Sequence, residues 1–434
     1  MKKLFDTFSE MKSFLVLWLG QSLSALGSSM TAYALVIWSY SQEGSALATA
    51  LLMVSSYAPY VILSIFAGAL SDRWNKKAVM LICDSIAAMT TVLVIVLIQT
   101  DCLELWHIYA INMVGGIMNT IQQPASEVAV TKLLPEKHYQ KVGGLRYLSN
   151  SVNTILTPII STGIMGIFGI HAVFLTDLMT FVFAFASLMF FIKIPETDRA
   201  DTKENFISSV KCGIGWLGKH RGILVLILYL AAINLIASMY NAALPAMMLS
   251  RPSGSENAYG IYNTVLGVTT LVGSIAASAM KPPKSRIRVI CGCLLFSMSF
   301  ENFMLAFGRN AVIWYIGGVL GWLPIPLMNA NLEAVLRTNI PAEMQGRIYS
   351  VRNSLQFFTI PVGYLVGGAA VDQIFEPYMQ NAPQLLTDIF GSGKGSGAAL
   401  FFFVIAFMGI GVCLIFSRMR SLWSLESEDK NSSG

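Results

Sequence analysis

Long apolar stretches alternate with short polar breaks along this chain of 434 residues. Twelve such stretches can be drawn, at 13–39, 46–71, 78–99, 105–130, 141–167, 170–193, 222–249, 257–280, 286–307, 311–336, 347–371 and 397–418. Crossing about 30 Å of hydrocarbon takes roughly 20 helical residues, and each stretch is that long. Helices are predicted because lipid offers no water to satisfy open backbone groups. The longest polar break, 194–221, opens with Pro195 and a charged run. It then spaces Phe206, Val210, Ile214 and Leu217 along one helical face beside Lys203, Lys211 and Lys219. That pattern predicts an amphipathic helix lying on a membrane surface. The expected organisation is a six-helix bundle over 1–193, a linker over 194–221, a second six-helix bundle over 222–418 and a disordered tail over 419–434.

The two halves repeat each other. EVAVTKLLPEKHYQKVGGLR begins at Glu127, and EAVLRTNIPAEMQGRIYSVR begins at Glu333. Glu127 and Glu333, Pro135 and Pro341, and Arg146 and Arg352 are separated by one interval of 206 residues. Two related helical halves in so apolar a chain point to a transporter. A charge near hydrocarbon wants a partner. Glu127 with Arg146, and Glu333 with Arg352, are therefore expected to form two matching ion-pair networks. The alternative is that each side chain snorkels separately to the interface.

Composition supports the membrane reading. The chain is 55% hydrophobic and 12% charged, against roughly 25% charged in a soluble domain. With both termini inside, the outer loops hold only Arg251, Arg309 and Lys394, and nearly all other basic residues fall inside. That asymmetry predicts cytoplasmic termini. The net charge of +5 is thus a topology signal, and no nucleic-acid partner is expected. No small-residue cleavage pattern follows the first apolar run, which is expected to remain as a span. The six cysteines lack metal spacing, no phosphate-binding loop appears, and no nucleophile–base constellation is evident. No cofactor, metal site or enzymatic activity is expected.

Between the second and third spans the chain reads GALSDRWNKKAVMLICD, with Gly68, Asp72, Arg73, Lys76, Lys77 and then Asp84. This resembles the cytoplasmic signature of the major facilitator superfamily. WLGQSLSALGSSM in the first span, Pro59 and Gly68 in the second, and QQPASEVAVTKLLPEKHYQ closing the fourth are similar to the drug:proton antiporter branch that includes macrolide exporters. Siderophore exporters and a lysophospholipid flippase are similar too. The resemblance implies the major facilitator fold and a gate. Asp72 would accept hydrogen bonds from the opening turn of the eleventh span, near Gly346–Arg347, while Arg73, Lys76 and Lys77 hold Glu127. A loop that merely obeys the charge rule is the bland alternative. The branch's usual Gly-Pro-x-x-Gly-Gly in the fifth span is replaced by Thr157-Pro158-Ile159-Ile160-Ser161-Thr162. In the family that motif is linked to export.

In such a fold the first, fourth, seventh and tenth spans line a central cavity. Their candidate lining residues are Trp18, Gln21 and Ser28; Asn112 and Asn119; Asn234, Ser238 and Asn241; and Trp322 and Asn329. Hydrogen bonding between helices is the other use for such groups. The expected cavity is amide-rich, aromatic and poor in charge. It suits a bulky amphipathic substrate. Candidates for a coupling proton are Asp84, Glu127, Asp177, Glu301 and Glu333, with Asp177 and Glu127 preferred. The function expected is secondary active efflux of amphipathic drugs such as macrolides, coupled to protons by alternating access. The alternative is an uncoupled facilitator or flippase of a lipid or metabolite. The setting expected is the bacterial cytoplasmic membrane, with the chain acting as a monomer.

Overall fold

The computed structural model describes residues 2–133, 139–194 and 206–431, and every regular element among them is helical. The chain divides into two compact units, Met1–Ser41 with Ser55–Thr202, and Gln42–Val54 with Lys203–Gly434. The early helices are α1 (Lys2–Glu43), α2 (Ala46–Arg73), α3 (Lys76–Gln99), α4 (Leu105–Leu133), α5 (Tyr139–Phe168) and α6 (Ile170–Ala186). α6 continues into a π-helical turn, Ser187–Phe191. α3 begins where Asn75 accepts a hydrogen bond from the Ala78 amide at 3.1 Å, an N-cap. α5 turns into α6 through Gly169, whose φ of 79° suits glycine.

The later helices are α7 (Phe206–Lys219), α8 (Arg221–Ser250), α9 (Glu256–Ala279), α10 (Arg286–Phe307), α11 (Ala311–Trp322) and α12 (Ile325–Asn339). They are followed by α13 (Ala342–Phe357), α14 (Thr359–Ala370), a π-helical turn Val371–Phe375, α15 (Glu376–Gln380), α16 (Gln384–Phe390), α17 (Ser396–Ser417) and α18 (Arg420–Asn431). Two expected spans are interrupted. Pro324 separates α11 from α12. Between α13 and α14, Pro361 has no amide to offer the carbonyl four residues back. α13 opens at Ala342, earlier than the Gly346–Arg347 start expected. The tail, expected as disordered, carries α18. Leu422 and Leu425 of α18 are buried, and Glu426 accepts from Ser285 Oγ and the Ile287 amide at 2.5 and 2.9 Å.

Ten segments are long and apolar enough among the described residues to cross a membrane. α1 and α4 are not among the ten, and both carry many of the polar positions that face the cavity described below. Large side chains such as Phe190, Phe191, Met179 and Ile167 lie mostly exposed, an arrangement that suits lipid. Within the second unit, Arg251 is buried and donates to the Gly308 carbonyl at 2.9 Å and to the Phe390 carbonyl. Of the apolar stripe on α7, Leu217 is buried while Ile214 is exposed.

Residues Gln42–Val54 belong to the second unit, and one carboxylate explains how they are held. Asp372, on the π-helical turn, accepts from Ser45 Oγ at 2.6 Å and from the Ala46 and Leu47 amides at 3.0 and 2.8 Å. These amides open α2 and have no partner within their own helix. Negative charge at that end is also favoured by the helix dipole. Gly368 lets α14 approach closely, since a methyl there would lie 2.8 Å from the Leu47 Cα. Asp372→Ala is expected to destabilise the protein by about 1–3 kcal/mol, because it strands buried donors. Asp372→Asn should fall between the two, since its amide nitrogen cannot accept. Thermal unfolding of the detergent-purified protein checks the order, and an unchanged melting temperature in both variants rejects it.

Candidate functional site in the first helical unit

α1 brings a polar face inward at helical spacing, with Gln21, Ser24, Ser28 and Thr31 three to four residues apart. Hydroxyls and an amide tie this helix to α5. Ser22 Oγ meets Ser149 Oγ at 2.8 Å, Asn153 Nδ2 donates to Ser29 Oγ at 3.0 Å, and Ser161 Oγ donates to the Met30 carbonyl at 3.2 Å. On α3, Asp84 and Thr91 lie seven residues apart and therefore share a face. Together with α4 and α6 these helices line a cavity of about 800 Å³. That is the size of a pocket for a drug-like molecule.

Two buried carboxylates border it. Asp84 accepts from Gln21 Nε2 at 3.1 Å and from Gln122 Nε2 at 2.6 Å. Asp177 accepts from Ser28 Oγ at 3.2 Å, Thr31 Oγ1 at 2.9 Å and Thr91 Oγ1 at 3.0 Å. Neither has a cation among these partners. Glu127 also borders the cavity, and among the described lining residues there is no Lys, Arg or His. The Trp18 indole N–H is buried at the cavity without a hydrogen-bond partner among the described residues. The cavity is therefore acidic, rich in amides and hydroxyls, and supplied with one open donor.

The expected residues distribute unevenly. Trp18, Gln21, Ser28, Asn112, Asn119, Asp84, Glu127 and Asp177 border this cavity. The expectation of a cavity poor in charge is corrected, because three acids border it. Asn234, Ser238, Asn241, Trp322 and Asn329 belong to the second unit and do not border it. There Asn234 Nδ2 donates to the Gln356 carbonyl at 3.4 Å, and Ser238 Oγ to the Asn234 carbonyl at 2.8 Å. Asn241 and Asn329 are exposed. Sequence reasoning missed Thr31, Thr91 and Gln122 as ligands of the two aspartates. The seven-residue spacing of Asp84 and Thr91 was a usable signal.

Of the gate residues, Gly68, Asp72 and Arg73 form the end of α2, and their side chains lie outside the described residues. Lys76 is buried, with Nζ 3.1 Å from the Trp74 carbonyl. Lys77 differs from expectation. Its ammonium donates to the Met189 and Ile192 carbonyls at 2.9 and 2.7 Å, closing the end of the π-helical turn rather than holding Glu127. In the repeated pair, Arg352 Nη1 lies 3.4 Å from Glu333 Oε1, and Arg337 Nε lies 3.9 Å from Glu333 Oε2. Arg146 lies on α5 with its side chain outside the described residues.

A polytopic helical chain with a cavity bordered by acids and amides has the construction of a membrane transport protein. The sequence model of the Major Facilitator Superfamily matches residues 17–364, and the chain belongs to that family. Macrolide efflux protein A of Streptococcus pyogenes is 22% identical over 365 residues, covering 83% of this chain and 90% of that protein. Macrolide efflux protein A of Enterococcus faecalis is 22% identical over 324 residues, covering 74% and 99%. The uncharacterized MFS-type transporter YfiS of Bacillus subtilis (strain 168) is 21% identical over 382 residues, covering 85% and 88%. Among solved structures, the nucleoside transporter NupG matches with a TM-score of 0.65 at 11% identity, covering 93% of this chain and 99% of that one. A D-xylose-proton symporter matches at 0.61 and 13%, covering 94% and 98%. These structures share the fold. The protein is thus a multi-pass membrane transporter with major facilitator architecture.

The Asp177 cradle depends on close approach of α1 to α6 at Gly27. A methyl there would lie 2.9 Å from Asp177 Oδ1 and would collide with Thr180 Oγ1. Gly163 on α5 has open space around the same position. Gly27→Ala is expected to cost about 1–3 kcal/mol of stability through overpacking. Gly163→Ala should be neutral or mildly stabilising. Paired melting curves in detergent test this, and equal effects of the two substitutions would reject the close-contact account.

Proposed function

We propose that this transporter exports amphipathic drugs such as macrolides in exchange for protons. Two six-helix bundles, 1–193 and 222–418, would alternate access to the cavity, with the 194–221 linker between them. Gly68, Asp72, Arg73, Lys76, Lys77 and Asp84 would serve the inner gate, and Glu127 with Arg146 and Glu333 with Arg352 would form the matching ion-pair networks. Both termini would face the cytoplasm of a bacterial cell, and the monomer would be the working unit. One observation carries the reading: a cavity of drug size bordered by Asp84, Asp177 and Glu127, with no base among its described lining residues. An acidic cavity favours a cationic or neutral amphipathic substrate over an anion. The Trp18 N–H is a donor that substrate can fill. The curated relatives named macrolide efflux protein A support drug export as the direction and macrolides as the class.

Asp177 is the preferred proton carrier, with Glu127 second. Asp177 is held by three neutral hydroxyls, so its charge has no permanent counter-ion to displace. Substrate cation and proton can then compete for it. The test is transport in proteoliposomes with and without an imposed pH gradient, screening macrolides, cationic dyes, siderophores and lysolipids. Gradient-driven transport of a macrolide or cationic dye, lost in Asp177→Asn, is the expected result. Equal transport without a gradient, with no proton movement, overturns coupling and favours an uncoupled facilitator or flippase.

A further inference from the structure

The second unit holds a carboxyl that the cavity does not use. Glu301 on α10 is 5% exposed. Its Oε1 contacts Tyr240 Oη of α8 at 2.7 Å, Tyr262 Oη of α9 at 2.9 Å and Trp322 Nε1 of α11 at 3.1 Å. The two phenol oxygens also meet each other at 2.6 Å. Glu301 Oε2 packs against Gly321, where an added methyl would collide with it. Phe402 of α17 covers Tyr240 edge-on at a centroid distance of 5.5 Å. Four helices therefore converge on one oxygen.

Counting hydrogens decides the state of the carboxyl. The cluster has four polar contacts. Its neutral donors supply only three hydrogens, one from each phenol and one from the indole. If the two phenols and the indole all donate to Oε1, the short Tyr240–Tyr262 contact has no hydrogen. A proton on Oε1 completes the set. Glu301 then donates to Tyr240, Tyr240 to Tyr262, and Tyr262 and Trp322 donate back to Oε1. No other arrangement of one hydrogen per contact satisfies all four without a proton on the carboxyl or a fourth donor.

No charged side chain acts on Glu301, and its acting partners are these three neutral donors. Among the described side chains of the elements packed against α10, α11 brings only Tyr315 as a titratable group. α17 brings Cys413, which acts on Tyr229. α12 brings Glu333 and Arg337, engaged with Arg352 and with each other. α16 brings Asp388, and α18 brings Arg420 with Glu426, the latter at the Ser285 end of α10. α10's own Arg286 and Arg288 lie at that same end, with Cys291 and Cys293 on its next turn. On α8 and α9 the remaining groups are Arg221, Tyr229, Glu256 and Tyr259. None of these supplies the cluster's missing hydrogen.

We propose that Glu301 is a proton-binding site of the second unit, and that its bound proton staples α8, α9, α10 and α11 together. Loss of the proton leaves four contacts for three hydrogens, so one contact opens and the staple loosens. The inference goes beyond the export reading and stands whether or not transport proves to be coupled. Its sign follows directly. The stabilisation is present while the proton is bound and is lost as pH rises through its release.

The test uses the purified full-length chain in detergent, without substrate or gradient. Infrared difference spectra against E301Q are expected to show one carbonyl band of a protonated carboxylic acid, present at neutral pH and lost as pH rises. Melting temperature of the wild type should fall over the same range. E301Q, which cannot release a proton there, should lack that fall. If E301Q does not fold, Tyr262→Phe supplies the second arm. It removes two of the four contacts, those of Tyr262 with Oε1 and with Tyr240, and should shift the same band. Identical carboxylic-acid bands in wild type and E301Q overturn the proposal. Where E301Q does not fold, a band unmoved in Tyr262→Phe overturns it. Loss of proton-coupled transport in proteoliposomes with the band intact would instead count against the export mechanism alone.

Discussion

Carboxylates among helices in lipid have neither bulk water nor a free choice of counter-ion. Asp84, Asp177 and Glu301 meet this constraint in one way. Each recruits neutral donors from helices other than its own. Asp84 on α3 draws on α1 and α4, Asp177 on α6 draws on α1 and α3, and Glu301 on α10 draws on α8, α9 and α11. Every such bond fixes one helix against another, because moving the donor away leaves a buried polar group unsatisfied. The carboxylates are thus packing elements and chemical groups at once. Glycines make the approach possible where it is closest, Gly27 at Asp177 and Gly321 at Glu301.

The same constraint explains which helices look least like membrane spans. α1 and α4 supply Gln21, Ser28, Thr31 and Gln122 to the aspartates, and Asn112 and Asn119 to the cavity wall. Those residues lower the hydropathy of the helices that carry them. The outward helix faces are the reverse, with bare Phe, Met and Ile where a soluble protein would carry charge. A polar stripe on an otherwise apolar helix is therefore the local trace of an internal cavity.

The helical class and the family were legible in the chain, because crossing length and the Asp72–Lys77 signature are local properties. Partner choice was not. Asp84 and Asp177 were visible as acids in apolar runs. Their donors lie 38 to 149 residues away, and nothing in a single sequence pairs them. That distance is why the cavity reads as poor in charge until its walls are assembled. Asp372 is the extreme case, since its partners at the start of α2 are 325 to 327 residues distant. α18 is a different failure. Its sequence is polar, but Leu422 and Leu425 are three apart and both are buried, so a short amphipathic helix was readable there. The interruptions at Pro324 and Pro361 were readable as well, from the missing amide.

The two units use their buried acids differently, and the difference bears on mechanism. In the first, Asp84 and Asp177 are bonded on one side and border open space on the other. Their donors are hydroxyls and amides, which can turn toward a new acceptor at modest cost. An incoming cation can therefore join these acids without first breaking an ion pair. In the second, Glu301 is enclosed by two phenols, an indole and a glycine, with an aromatic ring behind them. Its Oε1 is already met by three donors, so a proton is the species proposed to change its state. One unit thus has acids that border a cavity, and the other an acid held among side chains. The contrast lies in which residues face each carboxyl, hydroxyls and amides in one unit and aromatic side chains in the other.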